Sequence, residues 1–83
     1  MQDVEITGPQ IRAARGALGL SVAQLASLTG VGHATIVRYE QYSGVPKTRK
    51  DSLQKIRNAL ESAGIEFIGS PDDAPGIRIH TNT

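Results

Sequence analysis

Residues able to do acid–base or nucleophilic chemistry are sparse in this 83-residue chain. The two histidines, His33 and His80, fall in different elements. With no cysteine there is no thiol nucleophile, thiolate metal ligand or disulfide. Asp72 and Asp73 adjoin each other in a run of turn-forming residues, where carboxylates more readily shape a turn than form a catalytic dyad. No glycine-rich phosphate loop follows a strand. An enzyme is therefore not expected, nor a bound metal or other cofactor. Positive charge, by contrast, is concentrated. Arg38, Lys47, Arg49, Lys50, Lys55 and Arg57 stand between residues 33 and 57 against only Glu40 and Asp51. Over residues 58–83 the balance reverses, with Glu61, Glu66, Asp72 and Asp73 against Arg78. The net charge is just +1, so the information lies in this asymmetry, which suits a chain that turns one face to phosphate.

The elements that must position these groups centre on Leu20 to Tyr42, LSVAQLASLTGVGHATIVRYEQY. Ser21 followed three residues later by Gln24 makes a capping box, which starts a short helix. Leu25 and Leu28 are expected on its apolar face, with Ala26 small enough for a second helix to cross closely. Gly30 stands where a helix end needs a positive φ. A second helix is expected from about His33 to Gln41, with Ile36 and Tyr39 inward and His33, Ala34, Val37, Arg38 and Gln41 along the outer face. Two helices set at a steep angle by the turn Gly30-Val31-Gly32 form a helix-turn-helix, whose second helix enters the DNA major groove.

Around this pair, residues 1–6 read as a short mobile lead-in and residues 7–64 as the helical domain. Thr7, Pro9 and Gln10 mark the start of a helix ending near Gly19, with Ile11, Ala14, Arg15 and Leu18 on one face. Arg15 is a charge in an apolar stripe and needs a carboxylate, for which Glu40 is the candidate. After the breaker-rich Ser43–Lys47 loop, Thr48 and Asp51 restart a helix with Leu53, Ile56, Leu60 and Ala63 inward and Gly64 at its end. Residues 65–80 form a β segment: a strand at Ile65–Ile68, a turn across Gly69–Gly76 and a strand at Ile77–His80. This hairpin either packs on the helices or pairs with a second chain. Residues 81–83 are a tail. The fold class is mainly α, four to five helices with a C-terminal hairpin or strand pair. Apolar content is 39%, no run is long enough for a membrane span, and the acidic start with Asp3 and Glu5 argues against a signal leader. One small cytoplasmic, soluble domain is expected.

From about Gln10 to Ala63 the chain resembles the Cro-type, phage-repressor-like helix-turn-helix family, often called Xre. The matching pieces are I-R-x-x-R, L-S before the second helix, Q-L-A, G-V-G with A-T-I-V-R-Y-E, and P…L-x-x-I-x-x-A-L. It looks like the small stand-alone members with a G-[VI]-E-F-I…G-[VI]-R-[IL] tail. The resemblance implies an ion pair between Arg15 and Glu40. It also implies base reading from His33, Ala34, Val37 and Arg38, and phosphate contacts from Lys47, Arg49 and Lys50. Thr35 and Gln41 join the phosphate set. Val22 stands where a phosphate-binding glutamine is usual, which leaves only the backbone N–H groups and helix dipole there. Gly32 replaces a Ser or Thr cap, and Tyr42 replaces a glycine.

Arg38 is the strongest base reader, because its fork can bond O6 and N7 of guanine. His33 can donate to a guanine or a phosphate, and Ala34 and Val37 can pack on thymine methyls. The expected activity is sequence-specific binding of double-stranded DNA as a nucleoid-associated transcriptional regulator. A repressor occupying an inverted repeat as a homodimer is the leading form, with autoregulation common among small regulators of this appearance. The dimer forms through either the C-terminal strands or helix 4; on the strands, which are the leading choice, Ile65, Phe67, Ile77 and Ile79 are the expected contacts. The alternative is an antitoxin-like module that uses the same fold to clamp a protein partner.

Overall fold

The computed structural model describes residues 5–47 and 50–81, with Lys50 described by its backbone alone. Thr7 caps helix α1 (Gly8–Ala17): the Gln10 N–H donates to Thr7 Oγ1 at 3.2 Å, and the Thr7 N–H donates back to Gln10 Oε1 at 2.8 Å. Ser21 and Gln24 repeat this reciprocal box at the start of helix α2 (Val22–Thr29), with bonds of 2.8 and 3.0 Å. Four orphan N–H groups open every helix, and each box satisfies two of them while fixing the approach of the chain. Gly30 then ends α2 at φ 77°, its N–H bonded to the Ala26 carbonyl at 2.8 Å. Thr29 bridges the turn, donating to the Leu25 carbonyl and accepting from the Val31 N–H. Helix α3 (His33–Glu40) follows, and helix α4 (Lys50–Ser62) packs on α1, α2 and the first strand.

Ile6, Ile11, Ala14, Leu25, Val31, Ile36, Tyr39, Leu53, Ile56, Leu60 and Ile65 form one buried cluster drawing on all four helices and the first strand. Glycine permits the tightest approach within it. A side chain at Gly8 would collide with the backbone carbonyls of Tyr39 and Tyr42, so α1 begins directly against the end of α3. The Gly8 N–H donates to the Gly44 carbonyl at 3.0 Å, tying the loop after α3 to the same point.

Strands β1 (Ile65–Ser70) and β2 (Asp73–Ile79) pair antiparallel, Ile65 opposite Ile79 and Phe67 opposite Ile77. The register shifts between Ile68 and Ser70, where Gly69 (φ 74°) and Ala74 (φ 52°) both take left-handed backbone. The hairpin packs on the helices, with Phe67 and Ile77 against the core. Gln10 Nε2 donates to the carbonyls of Gly76 (2.9 Å) and Ile68 (3.3 Å), so one side chain both caps α1 and holds the hairpin.

Several expectations are corrected. Ile6 is not part of a mobile lead-in; it is 1% exposed in the core. Leu28 is 63% exposed, because α2 turns Val22, Leu25, Ala26 and Thr29 inward. At about 100° per residue, that arc leaves Leu28 on its flank. Ala63 is exposed past the end of α4, and Gln41 caps α3 rather than belonging to it. The turn is only Pro71-Asp72, since Gly69, Ala74 and Gly76 lie within the strands, where glycines and a left-handed residue mark a bulge. The cap expected at Thr48 lies outside the described residues. Among the described residues, no helix is long and apolar enough to cross a membrane.

Candidate nucleic-acid interface

Helix α3 is held from one side only. Ile36 and Tyr39 are buried, at 0% and 3% exposed, and Glu40 is buried beside them. The opposite side presents His33, Ala34, Arg38 and Gln41 to solvent, with Thr35 and Val37 half-buried along its margins. The Arg38 guanidinium lies 5.9 Å from the Tyr39 ring centroid, a cation–π approach that restrains the side chain without consuming its N–H donors. Gly32 contributes no side-chain cap, so the first-turn N–H groups of α3 point out beside His33.

An ion pair sets the far end of the helix. Arg15 Nε donates to Glu40 Oε2 at 2.7 Å and Nη2 to Oε1 at 2.8 Å, while Nη1 donates to the Leu20 carbonyl at 2.9 Å. One guanidinium thus joins the end of α1, the turn before α2 and the end of α3. The Glu40 hydrogen bond raises the Arg15 pKa above its ordinary value, outweighing the opposite effect of burial. Because Glu40 follows Arg38 by two residues, this bond fixes the angle at which the exposed face leaves the domain.

Lys47 is exposed at the end of the following loop, which is anchored by the Gly44 carbonyl and by buried Pro46. Arg49 and the Lys50 side chain lie outside the described residues. Val22 is half-buried against the core, so at that position only the backbone of the first turn of α2 is turned outward. Of the four expected dimer contacts, Ile65 is 3% exposed and Phe67 and Ile77 are packed on the core; Ile79 alone stays open, at 52%. Ile65 is spent on the fold itself, while Phe67 and Ile77 are partly buried by it. The outer side of the hairpin carries an unanticipated polar cluster in which Glu66 meets Arg78 at 3.3 Å and His80 at 2.7 Å. Strand alternation across paired residues was the available signal for it. Among the described residues, no group of three or more His, Cys, Asp or Glu side chains could hold a metal ion.

A family model described as a helix-turn-helix domain matches residues 8–61. The chain belongs to that family. No curated protein matches it. In this helix-turn-helix domain α2 and α3 are the motif, α1 and α4 are its supports, and the match stops short of β1. The hairpin is therefore an addition to the matched unit, joined to it through Gln10.

Proposed function

We propose that this helix-turn-helix domain is a transcriptional regulator of the Cro or Xre type that binds a specific double-stranded DNA sequence. It acts as a repressor, binding an inverted repeat as a homodimer. The observation that carries the reading is the one-sided burial of α3, which leaves His33, Ala34, Arg38 and Gln41 outward on a helix locked by Ile36, Tyr39 and the Glu40 ion pair. In this reading Arg38 reads a guanine, while Ala34 and Val37 meet thymine methyls. Lys47, Arg49, Lys50, Thr35, Gln41 and the backbone at Val22 hold phosphates and fix the register. One module buries too little for operator affinity, and two copies would reach half-sites about 34 Å apart.

The test begins with selection of bound duplexes from a random pool, followed by titration at several salt concentrations. Arg38→Ala is expected to lose about 1–3 kcal/mol on the selected site and to relax the preference at one base pair. Lys47→Ala should weaken all duplexes alike and lower the salt slope by about one. Failure of the wild-type protein to bind any duplex at low salt would refute the reading.

A further inference from the structure

We propose that Tyr42 is a further DNA contact, its phenol O–H donating to a backbone phosphate beside the groove that α3 enters. This inference rests on the DNA-binding reading above and adds a residue to it. Tyr42 follows the C-cap Gln41, which keeps right-handed helical backbone at φ −81° and ψ −12°. Its N–H donates to the Tyr39 carbonyl at 3.1 Å, the kind of bond that tightens a last helical turn. The turn of α3 therefore carries on to Tyr42. At about 100° per residue Tyr42 falls about 40° from Arg38 around the helix axis, on the side where Thr35 stands. Thr35, Arg38 and Tyr42 thus follow one another at i, i+3 and i+7 along the outward face.

The side chain is open while its backbone is held. Tyr42 is 43% exposed, the most exposed aromatic residue described. A side chain at Gly8 would meet the Tyr42 carbonyl, so the start of α1 abuts that peptide. Ring atom Cε2 lies 3.9 Å from where a β-carbon on Gly44 would stand, which rests the ring along the loop leading to Lys47. The hydroxyl has no hydrogen-bond partner among the described residues, which leaves its O–H for an outside acceptor. Base edges face the middle of a recognition helix, where Ala34 and Arg38 lie, and its flanks face the sugar–phosphate walls of the groove. A phosphate oxygen is an acceptor and matches a lone O–H donor, a contact that tyrosine can make. Because a phenol is uncharged, this contact fixes register without displacing a counterion.

Tyr42→Phe and Lys47→Ala are compared with wild-type on a duplex selected from the random pool, at several salt concentrations. Tyr42→Phe keeps the ring against Gly44 and should melt with wild-type. It should bind the duplex about tenfold more weakly, the loss of one hydrogen bond to a charged acceptor. Its salt slope and base preference should stay as in wild-type, whereas Lys47→Ala lowers the slope. Replacing each phosphate of the duplex in turn with a methylphosphonate then locates the acceptor. At one position the replacement should weaken wild-type about tenfold more than it weakens Tyr42→Phe. A Tyr42→Phe protein with wild-type affinity would overturn the proposal, as would a loss tied to no single phosphate. Both results would leave the DNA-binding reading standing. A wild-type protein that binds no duplex at low salt would overturn the two together.

Discussion

Replacing Arg15 with methionine keeps the apolar stem and deletes the guanidinium that joins α1, the turn before α2 and α3. Glu40, 7% exposed, then loses both charged donors, and the Leu20 carbonyl loses its own. A hydrogen bond to a charged group is worth about 1.5–3 kcal/mol net, and breaking a buried pair costs about 3–5 kcal/mol. Because Arg15 is 20% exposed and water can approach from its side, about 3 kcal/mol is the expected loss. The reverse variant is milder. Glu40→Gln leaves a guanidinium that can reach water and retains one acceptor, at a cost of about 1–1.5 kcal/mol. Each kcal/mol moves the melting temperature of a domain this size by about 4–8 °C. Arg15→Met should therefore melt roughly 12–24 °C below wild-type by circular dichroism, and Glu40→Gln about a third to a half as far below. The double variant Arg15→Met/Glu40→Leu orphans no charge and should recover most of the loss. An Arg15→Met protein within about 5 °C of wild-type would refute the assignment of this pair as the brace of α3. A double variant no better than Arg15→Met would do the same.

Three further outcomes follow from two glycines and from the hairpin. Gly8→Ala forces a methyl into the carbonyls of Tyr39 and Tyr42 and should cost more than about 3 kcal/mol. Gly16→Ala meets nothing on the exposed side of α1 and should gain about 0.5–1 kcal/mol; the same melting series reads both. Glu66 is held below the usual carboxylate range, first by its hydrogen bond with His80, which outweighs the opposing effect of desolvation, and with a further contribution from the charge of Arg78. A depressed folded pKa contributes stability above the unfolded value and loses it as pH falls through the folded one. The melting difference between wild-type and Glu66→Gln should therefore shrink on acidification below the ordinary carboxylate range; a difference that widened would contradict the assignment.

The features legible in the sequence were those decided by neighbours along the chain. Thr7 with Gln10 and Ser21 with Gln24 are each complete within four residues, and Gly30 needs only its own backbone angle. Most of the outward set on α3 is legible too, because Ile36 and Tyr39 admit one orientation of a two-turn helix; Val37 departs from it, half-buried at the margin. Leu28 is not legible. Leu25 and Leu28 together suggest an apolar face, yet the roll of α2 is set by what Val22 and Ala26 pack against. Ile6 is not legible, because a lone isoleucine ahead of a cap has no period to betray it. Within the hairpin, Gly69 and Gly76 look like turn residues in the sequence, although a bulge needs such residues as much as a loop does.

Gln10 shows why the hairpin belongs to this domain even though the family match ends before it. Its Oε1 is committed to the Thr7 N–H by the capping box, a local arrangement that α1 needs on its own account. The same box leaves the amide nitrogen with two N–H donors in a buried position, where unmatched donors are costly. The carbonyls of Ile68 and Gly76 take both. A helix start read from the sequence thus carries a second, non-local consequence: the capping glutamine supplies the polar seat of the hairpin, and Ile65, Phe67 and Ile77 supply its apolar one. With the inner face of the hairpin occupied in this way, the polar side of α3 and the uncharged side of α2 stay open to solvent. The same packing that turns Leu25 and Ile36 inward produces both.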